Sequence, residues 1–237
     1  MSLLALEHVT KRFTSGQRET HVLRDVTLAL NAGELVAVYG LRRSGRTTLL
    51  RVAAGIVPLD AGSVRFEGRD LGGRAGRALG VEIGYCSPLF DPTHGGSVAD
   101  QVAVGLLARG IGKTRARAQA ADALERVGAG TCAQLDPRDL QLDELVRAGI
   151  ARALVTAPRV LLLDEPTNGV DVRERDALLA LVRGLADNGM AILMTVGEPV
   201  AGPDRVLVLD GGRLSAEAAP DTKDVIALPS RYVEPAG

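Results

Sequence analysis

Two short runs in this sequence are apolar at almost every position: Val160-Leu161-Leu162-Leu163 and Ala191-Ile192-Leu193-Met194-Thr195-Val196. A strand with one wet face alternates apolar and polar residues. A strand that is apolar at successive positions must be covered on both faces, as in a parallel sheet with helices on each side. The chain is thereby drawn to the α/β class. Composition points the same way: 46% of the residues are apolar but only 3% aromatic, so the core must be packed from Leu, Val, Ile and Ala. A length of 237 residues suffices for one large domain, or a core carrying a smaller lobe.

Leu3 to Val9 and Val22 to Leu30 read as short strands around the turn-rich Thr14-Ser15-Gly16-Gln17, suggesting an antiparallel entry. Leu35 to Tyr39 is a compact apolar strand, followed by the glycine-bounded turn Gly40 to Gly45 and a helical run from Thr47 through Ile56. From about Pro88 to Leu154 the pattern is helical, with Thr114 as expected N-cap, a face of Ala118, Ala121, Leu124 and Val127, and Gly128 as stop. A helix over Asp176 to Ala186 is closed by Asn188-Gly189. Arg205 to Leu209 and the turn Asp210-Gly211-Gly212 form a closing hairpin, before a Pro- and Ala-rich tail from Ala216.

A net charge of −1 supplies no field to hold nucleic acid or an anionic membrane, so no nucleic-acid partner is expected. The only lysines are Lys11, Lys113 and Lys223, a bias toward Arg that carries no functional weight. Cys86 and Cys132 lack metal-ligand spacing and are too few for a disulfide framework, as suits a reducing compartment. Neither a signal-peptide pattern at Met1 to Glu7 nor a run of about 20 apolar residues is present, so a soluble chain is expected whose membrane role needs another chain.

Gly40-Leu41-Arg42-Arg43-Ser44-Gly45-Arg46-Thr47 has the spacing of a phosphate-binding loop, G-x-x-x-x-G-K-[ST], with Arg46 at the lysine position. Such a loop needs backbone N–H groups and a helix N-terminus facing phosphates, a cation for the β/γ oxygens, and a hydroxyl, here Thr47, for Mg²⁺. The octet alone is a weak signal. Leu161-Leu162-Leu163-Asp164-Glu165-Pro166 strengthens it: an apolar strand ending in adjacent carboxylates, the first to support Mg²⁺ and the second to polarise water.

With Ala151-Arg152-Ala153-Leu154, Pro158, Asp164-Glu165-Pro166-Thr167 and Gly169-Val170-Asp171 added, the chain resembles an ABC ATPase along nearly its whole length. The resemblance implies an α/β fold, a RecA-like P-loop NTPase core with an antiparallel β subdomain and a helical subdomain. It divides the single domain 1–237 into a core (1–87 and 155–215), a helical lobe (88–154) and a tail (216–237). It implies head-to-tail dimers with ATP between one P-loop and the partner's signature motif. By position it implies Phe13 as the aromatic against adenine, Gly40, Leu41, Arg42, Arg43, Ser44, Gly45, Arg46, Thr47 and Thr48 around the phosphates, Thr47 and Asp164 at Mg²⁺, Glu165 as catalytic carboxylate, and Gly169-Val170-Asp171 as D-loop.

Several positions depart from that pattern. Arg46 exchanges a compact ammonium for a longer planar fork. Arg43 stands where Gly is usual, which carries a steric cost if φ is positive there; Arg42 and Arg43 could alternatively attract phosphates from a distance. The LSGGQ signature falls on Leu140-Gln141-Leu142-Asp143-Glu144, whose bulk and acids would repel a γ-phosphate. The Q-loop glutamine is replaced by Pro88, and the switch histidine by Gly197; none of His8, His21 and His94 is placed to substitute. Both composite sites containing this chain are therefore expected to be impaired, in a homodimer or with an intact paralogue.

The expectation is an ATP- and Mg²⁺-binding transporter subunit on the cytoplasmic face of the cell membrane. It would dock a separate transmembrane permease and pair with a second nucleotide-binding subunit, its own hydrolysis weak or absent. Two alternatives stay open: a competent ATPase with Arg in the P-loop, and a non-transport scaffold using the cassette only as a surface.

Overall fold

A computed structural model describes residues 2–16, 18–71, 82–87 and 95–216. In chain order the elements are β1 (Leu4–Ser15), β2 (Arg18–Leu30), β3 (Leu35–Tyr39), α1 (Arg46–Ala53), β4 (Ala61–Phe66), β5 (Arg69–Asp70), β6 (Ile83–Cys86), α2 (Val98–Leu107), α3 (Lys113–Arg126), α4 (Leu142–Leu154), β7 (Val160–Asp164), α5 (Val172–Asp187), β8 (Ala191–Val196), β9 (Arg205–Asp210) and β10 (Arg213–Ala216). Strands β2-β1-β4-β5 form an antiparallel sheet and β10-β9-β3-β8-β7-β6 a mixed one. In the second sheet β9, β3, β8, β7 and β6 run parallel, and β10 closes its edge as an antiparallel hairpin.

Every residue of β3, β7 and β8 is buried, as the all-apolar runs require. The pleat divides them between two cores. Leu161, Leu163, Ile192 and Met194 face α2, α3, α4 and α5, where Val102, Leu124, Ile150 and Leu178 meet them. Val160, Leu162 and Leu193 face the other way, onto α1 and the antiparallel sheet, among Leu6, Leu23, Leu50 and Phe66. The sheet is thus a wall with a helical side and a β side. The loops that follow β3, β7 and β8 emerge at one end of it, the carboxyl ends of the parallel strands, where α/β sheets gather their chemistry.

Some sequence expectations are corrected. Thr114 is not the cap of α3: the helix starts at Lys113 with Gly112 before it. Its buried face is Ala116, Ala120, Ala123 and Leu124, with Val127 beyond, whereas Ala118 is exposed and Ala121 only half-buried. Alanine is so frequent along this helix that helical spacing is satisfied on two offset faces. The helix read from Asp176 begins at Val172, capped by the Asp171 carboxylate, which accepts the Arg173 N–H at 3.0 Å. The entry strands run on to Ser15 and back from Arg18, because bulges break the alternation of β1. His8 and Asp25 take positive φ there and pair at 2.7 Å. Pro88, His94 and the tail beyond Ala216 lie outside the described residues.

Candidate functional site

The loop after β3 is held open by its glycines. A Cβ on Gly40 would lie 2.5 Å from Ser44 Oγ and 2.7 Å from the Leu209 carbonyl. Gly45 has φ +107°, and a Cβ there would lie 2.8 Å from the Val22 carbonyl. Gly45 stands at the start of α1 and no side chain caps it. The N–H groups of Arg46, Thr47 and Thr48 therefore have no acceptor inside the helix, and the positive end of its dipole faces outward. Ser44 Oγ is buried without a hydrogen-bond partner among the described residues. Leu41, Arg42 and Arg43 are exposed on the outer turn, and Arg43 adopts φ 66°, a left-handed conformation costing roughly 1 kcal/mol for a residue with a Cβ.

Arg43, Ser44, Gly45, Arg46, Thr47 and Thr48 line a cleft of about 300 Å³ with Phe13, Val22 and Glu165. Phe13, on β1, is exposed, with the Lys11 ammonium 5.2 Å from its ring centroid and that ammonium paired with Asp60 at 3.2 Å.

Asp164 ends β7, buried in a ring of hydroxyls. Thr195 donates to Oδ1 at 2.8 Å, Thr47 donates to the same oxygen at 3.3 Å, and the Tyr85 phenol donates to Oδ2 at 3.2 Å. Burial raises the Tyr85 pKa, which keeps the phenol a donor. The Thr195 oxygen also accepts the Glu165 backbone N–H at 3.0 Å, so one hydroxyl fixes both acids. Glu165 itself turns the chain with φ 50°. The sequence reading missed Thr195 and Tyr85. The signal for Thr195 was present, as the lone hydroxyl in an otherwise apolar strand. A hydroxyl beside one buried carboxylate suits Mg²⁺, which keeps waters and takes its remaining ligands from phosphates. Among the described residues no three His, Cys, Asp or Glu side chains converge as a metal site of another kind.

Arg46 is only 6% exposed and lines both this cleft and a second cavity beside it. Its Nη2 donates to Glu165 Oε1 at 2.6 Å and its Nη1 donates to the Val196 carbonyl. Gly197 leaves it room: a Cβ there would stand 3.5 Å from Nη1, an ordinary contact, whereas a ring would reach the guanidinium itself. The cation at the phosphate-loop position is thus committed to the catalytic-position carboxylate, with Glu165 held at the junction of two cavities. The second cavity, about 660 Å³, is lined by Arg42, Arg43, Asn168, Gly169, Val170 and Glu198, among others.

The remaining expected positions lie around this centre. Gly169 and Val170 line the larger cavity, and Asp171 is spent on capping α5. At the start of α4, Glu144 accepts the Gln141 N–H at 2.8 Å and the Cys132 thiol at 3.4 Å, so the helix supplies its own anion. His8 and His21 pair with Asp25 and Glu19 on the antiparallel sheet.

The chain is similar in sequence and fold to known proteins. The family model for the ABC transporter matches residues 23–168. The chain is 37% identical over 223 residues to the lipoprotein-releasing system ATP-binding protein LolD of Chromohalobacter salexigens, covering 91% of this chain and 94% of LolD. It is 35% identical over 221 residues to the methionine import ATP-binding protein MetN 1 of Rhodococcus jostii, covering 90% of this chain but only 65% of that protein. Among solved structures, a dimer of the ATP-binding cassette MJ0796 bound to ADP and Pi superposes with a TM-score of 0.82 at 22% identity, over 91% of this chain and 98% of that one. CbiO1 of Clostridium perfringens gives 0.79 at 25% identity, over 92% and 89%. The fold is therefore that of the ATP-binding cassette, and the chain belongs to the ABC transporter family.

Proposed function

We propose that this chain is the ATP-binding subunit of an ABC transporter that binds Mg²⁺-ATP, joins a second cassette, and works against a separate permease at the cytoplasmic face of the membrane, with hydrolysis at its own site impaired. The observation that carries the impairment is the ion pair between Arg46 and Glu165. A carboxylate engaged by a guanidinium is not free to take a proton from water, and a guanidinium so engaged is not on the phosphates. One residue contact thus disarms two catalytic parts.

Binding has what it needs. The free N–H groups at the start of α1 and the unpaired Ser44 hydroxyl fit phosphate oxygens, Thr47 and Asp164 would hold Mg²⁺, and Phe13 offers a face to adenine. Bound Mg²⁺ would supply neutralising charge to the phosphates, while Thr195 keeps both acids in place. No helix among the described residues is long and apolar enough to cross a membrane. LolD is named for lipoprotein release and MetN 1 for methionine import, so cargo and direction are not assigned.

A second reading, a working ATPase, is favoured by the Thr47, Asp164, Thr195 and Glu165 contacts. Titration with a fluorescent ATP analogue and Mg²⁺, alongside phosphate release from wild type, Arg46→Lys and Glu165→Gln, separates the two. Binding without release is expected. Release from the wild type that disappears in Glu165→Gln would establish the working ATPase instead, and no binding would leave only a scaffold.

A further inference from the structure

Lys11, on β1, is 7% exposed, and a lysine is seldom buried without partners for its charge. Its ammonium meets Asp60 Oδ1 at 3.2 Å and the Phe13 ring, whose centroid lies 5.2 Å away. Asp60 stands just before β4 and ties down three successive residues of β1. Its N–H donates to the Thr10 carbonyl at 2.9 Å, its Oδ1 takes the Lys11 ammonium, and its Oδ2 accepts the Arg12 N–H at 2.5 Å. The Arg12 N–H, aided by Lys11, holds the Asp60 carboxyl below its ordinary range, so the carboxylate stays charged beside the ammonium.

The backbone aims these groups at one another. The pairing of β1 with β2 shifts register between Val9 and Lys11 and again between Lys11 and Arg12, and irregularities of this kind re-aim side chains. Phe13 is 45% exposed and lines the 300 Å³ cleft together with Arg43, Thr47 and Thr48, whereas Lys11 is buried and is not part of that lining. The cleft is therefore offered the ring, and the ring is backed by the cation. An aromatic face is negative and repels the negative face of a second ring laid flat upon it. A cation at the first ring draws on its π electrons and weakens that repulsion.

We propose that Lys11 is a positioning residue for the base of the nucleotide: clamped by Asp60, its ammonium fixes the Phe13 ring and makes the ring's open face a better platform for a purine. The proposal rests on the reading above in taking this cleft as the nucleotide's, and adds to it the group that sets how much of the affinity comes from the base. Lysine suits the task because its charge is compact, so that one ammonium reaches a carboxylate and a ring at once from a buried stem. Purines gain more than pyrimidines, since their stacking is stronger.

The test compares ATP with UTP, each with Mg²⁺, in displacing the fluorescent ATP analogue from the full chain. The two share triphosphate and ribose, so the ratio of their affinities reports the base alone and is blind to damage at the phosphate loop. The wild type is expected to prefer ATP by about tenfold, and Lys11→Met, which keeps the stem and drops the charge, should cut that ratio about three- to fivefold. Phe13→Leu should cut it at least as far. Adding Lys11→Met to Phe13→Leu should change nothing more, because the cation acts only through the ring. Lys11→Arg keeps a cation and should keep most of the preference. A ratio that Lys11→Met leaves as it was, or a wild type that holds UTP as tightly as ATP, overturns the proposal and leaves the nucleotide reading standing. So does loss of all binding in both Lys11→Met and Lys11→Arg, which would make Lys11 a residue of the fold alone. A wild type that does not bind the analogue at all defeats the nucleotide reading, and this proposal with it.

Discussion

At position 46 the difference between an ammonium and a guanidinium decides what the site can do. A lysine there is a compact charge on a flexible stem, whereas Arg46 spans two acceptors with a planar fork, the Glu165 carboxylate and the Val196 carbonyl. Gly197 is the other half of the same device, for a Cβ there would only touch the fork at 3.5 Å whereas a ring would reach into it. Arg46→Lys is therefore expected to loosen Glu165 and raise phosphate release from background. Arg46→Lys with Gly197→His should raise it further, the pair together by on the order of 10²-fold, since each restores one positioned polar group. Gly197→Ala should change little. Single-turnover phosphate release checks this, and equal background rates in all variants would mean that something other than the Arg46 contact limits the site. The substitution at 46 was visible in the sequence, but its partner was not, since Arg46 and Glu165 lie 119 residues apart and only the sheet brings them together. The cost at Arg43 was conditional on a positive φ, and the backbone supplies the condition.

Helix starts and strand ends decide what is robust among the elements. α2 opens with a capping box in which Ser97 and Asp100 exchange hydrogen bonds, and Arg117 of α3 clamps both Asp100 oxygens at 2.6 Å. The Arg117 guanidinium, aided by the Ser97 N–H and hydroxyl, holds the Asp100 carboxyl down to about 2, against about 3.9 in an unfolded chain. Because the folded value is the lower one, the clamp stabilises fully above about pH 4 and its contribution is lost as pH falls toward 2. Arg117→Ala should lower Tm at pH 7 and lower it by markedly less as pH falls toward 2, so a gap that stays constant across a Tm series would assign Arg117 a packing role instead. Cys86, at the end of β6, is pushed up to about 12 by burial and should resist a thiol reagent at pH 8 until the chain unfolds; prompt labelling in native buffer would contradict that burial. Among the elements, β3, β7 and β8 were legible because both their faces are apolar. β6 was not read as a strand, being four residues with Gly84 and Tyr85 inside, and the face of α3 was misread because alanine marks no side strongly.

For the molecule as a whole, the sheet joins two cores that the sequence could not assign to sides, since an all-apolar strand carries no mark of which residue faces which partner. The strand order β10-β9-β3-β8-β7-β6 is equally hidden, because β3 is flanked by two strands from near the chain's end. Leu161 and Leu162, adjacent on β7 and both fully buried, report on the opposite sides: Leu161 on the helices, Leu162 on α1 and the antiparallel sheet. Leu161→Ala and Leu162→Ala should each cost about 2–5 kcal/mol, the transfer term plus a cavity that a packed sheet cannot close. If the wall makes one cooperative unit, both variants shift the same single urea transition, seen alike by far-UV circular dichroism and by exposure of the buried thiols, Cys86 and Cys132. If the helical side opens on its own, Leu161→Ala brings thiol exposure forward to lower urea than the loss of ellipticity, whereas Leu162→Ala leaves the two together. The sheet favours the first outcome, because β7 and β8 place successive side chains in opposite cores, so that neither core can be unpacked without freeing the strands that order the other.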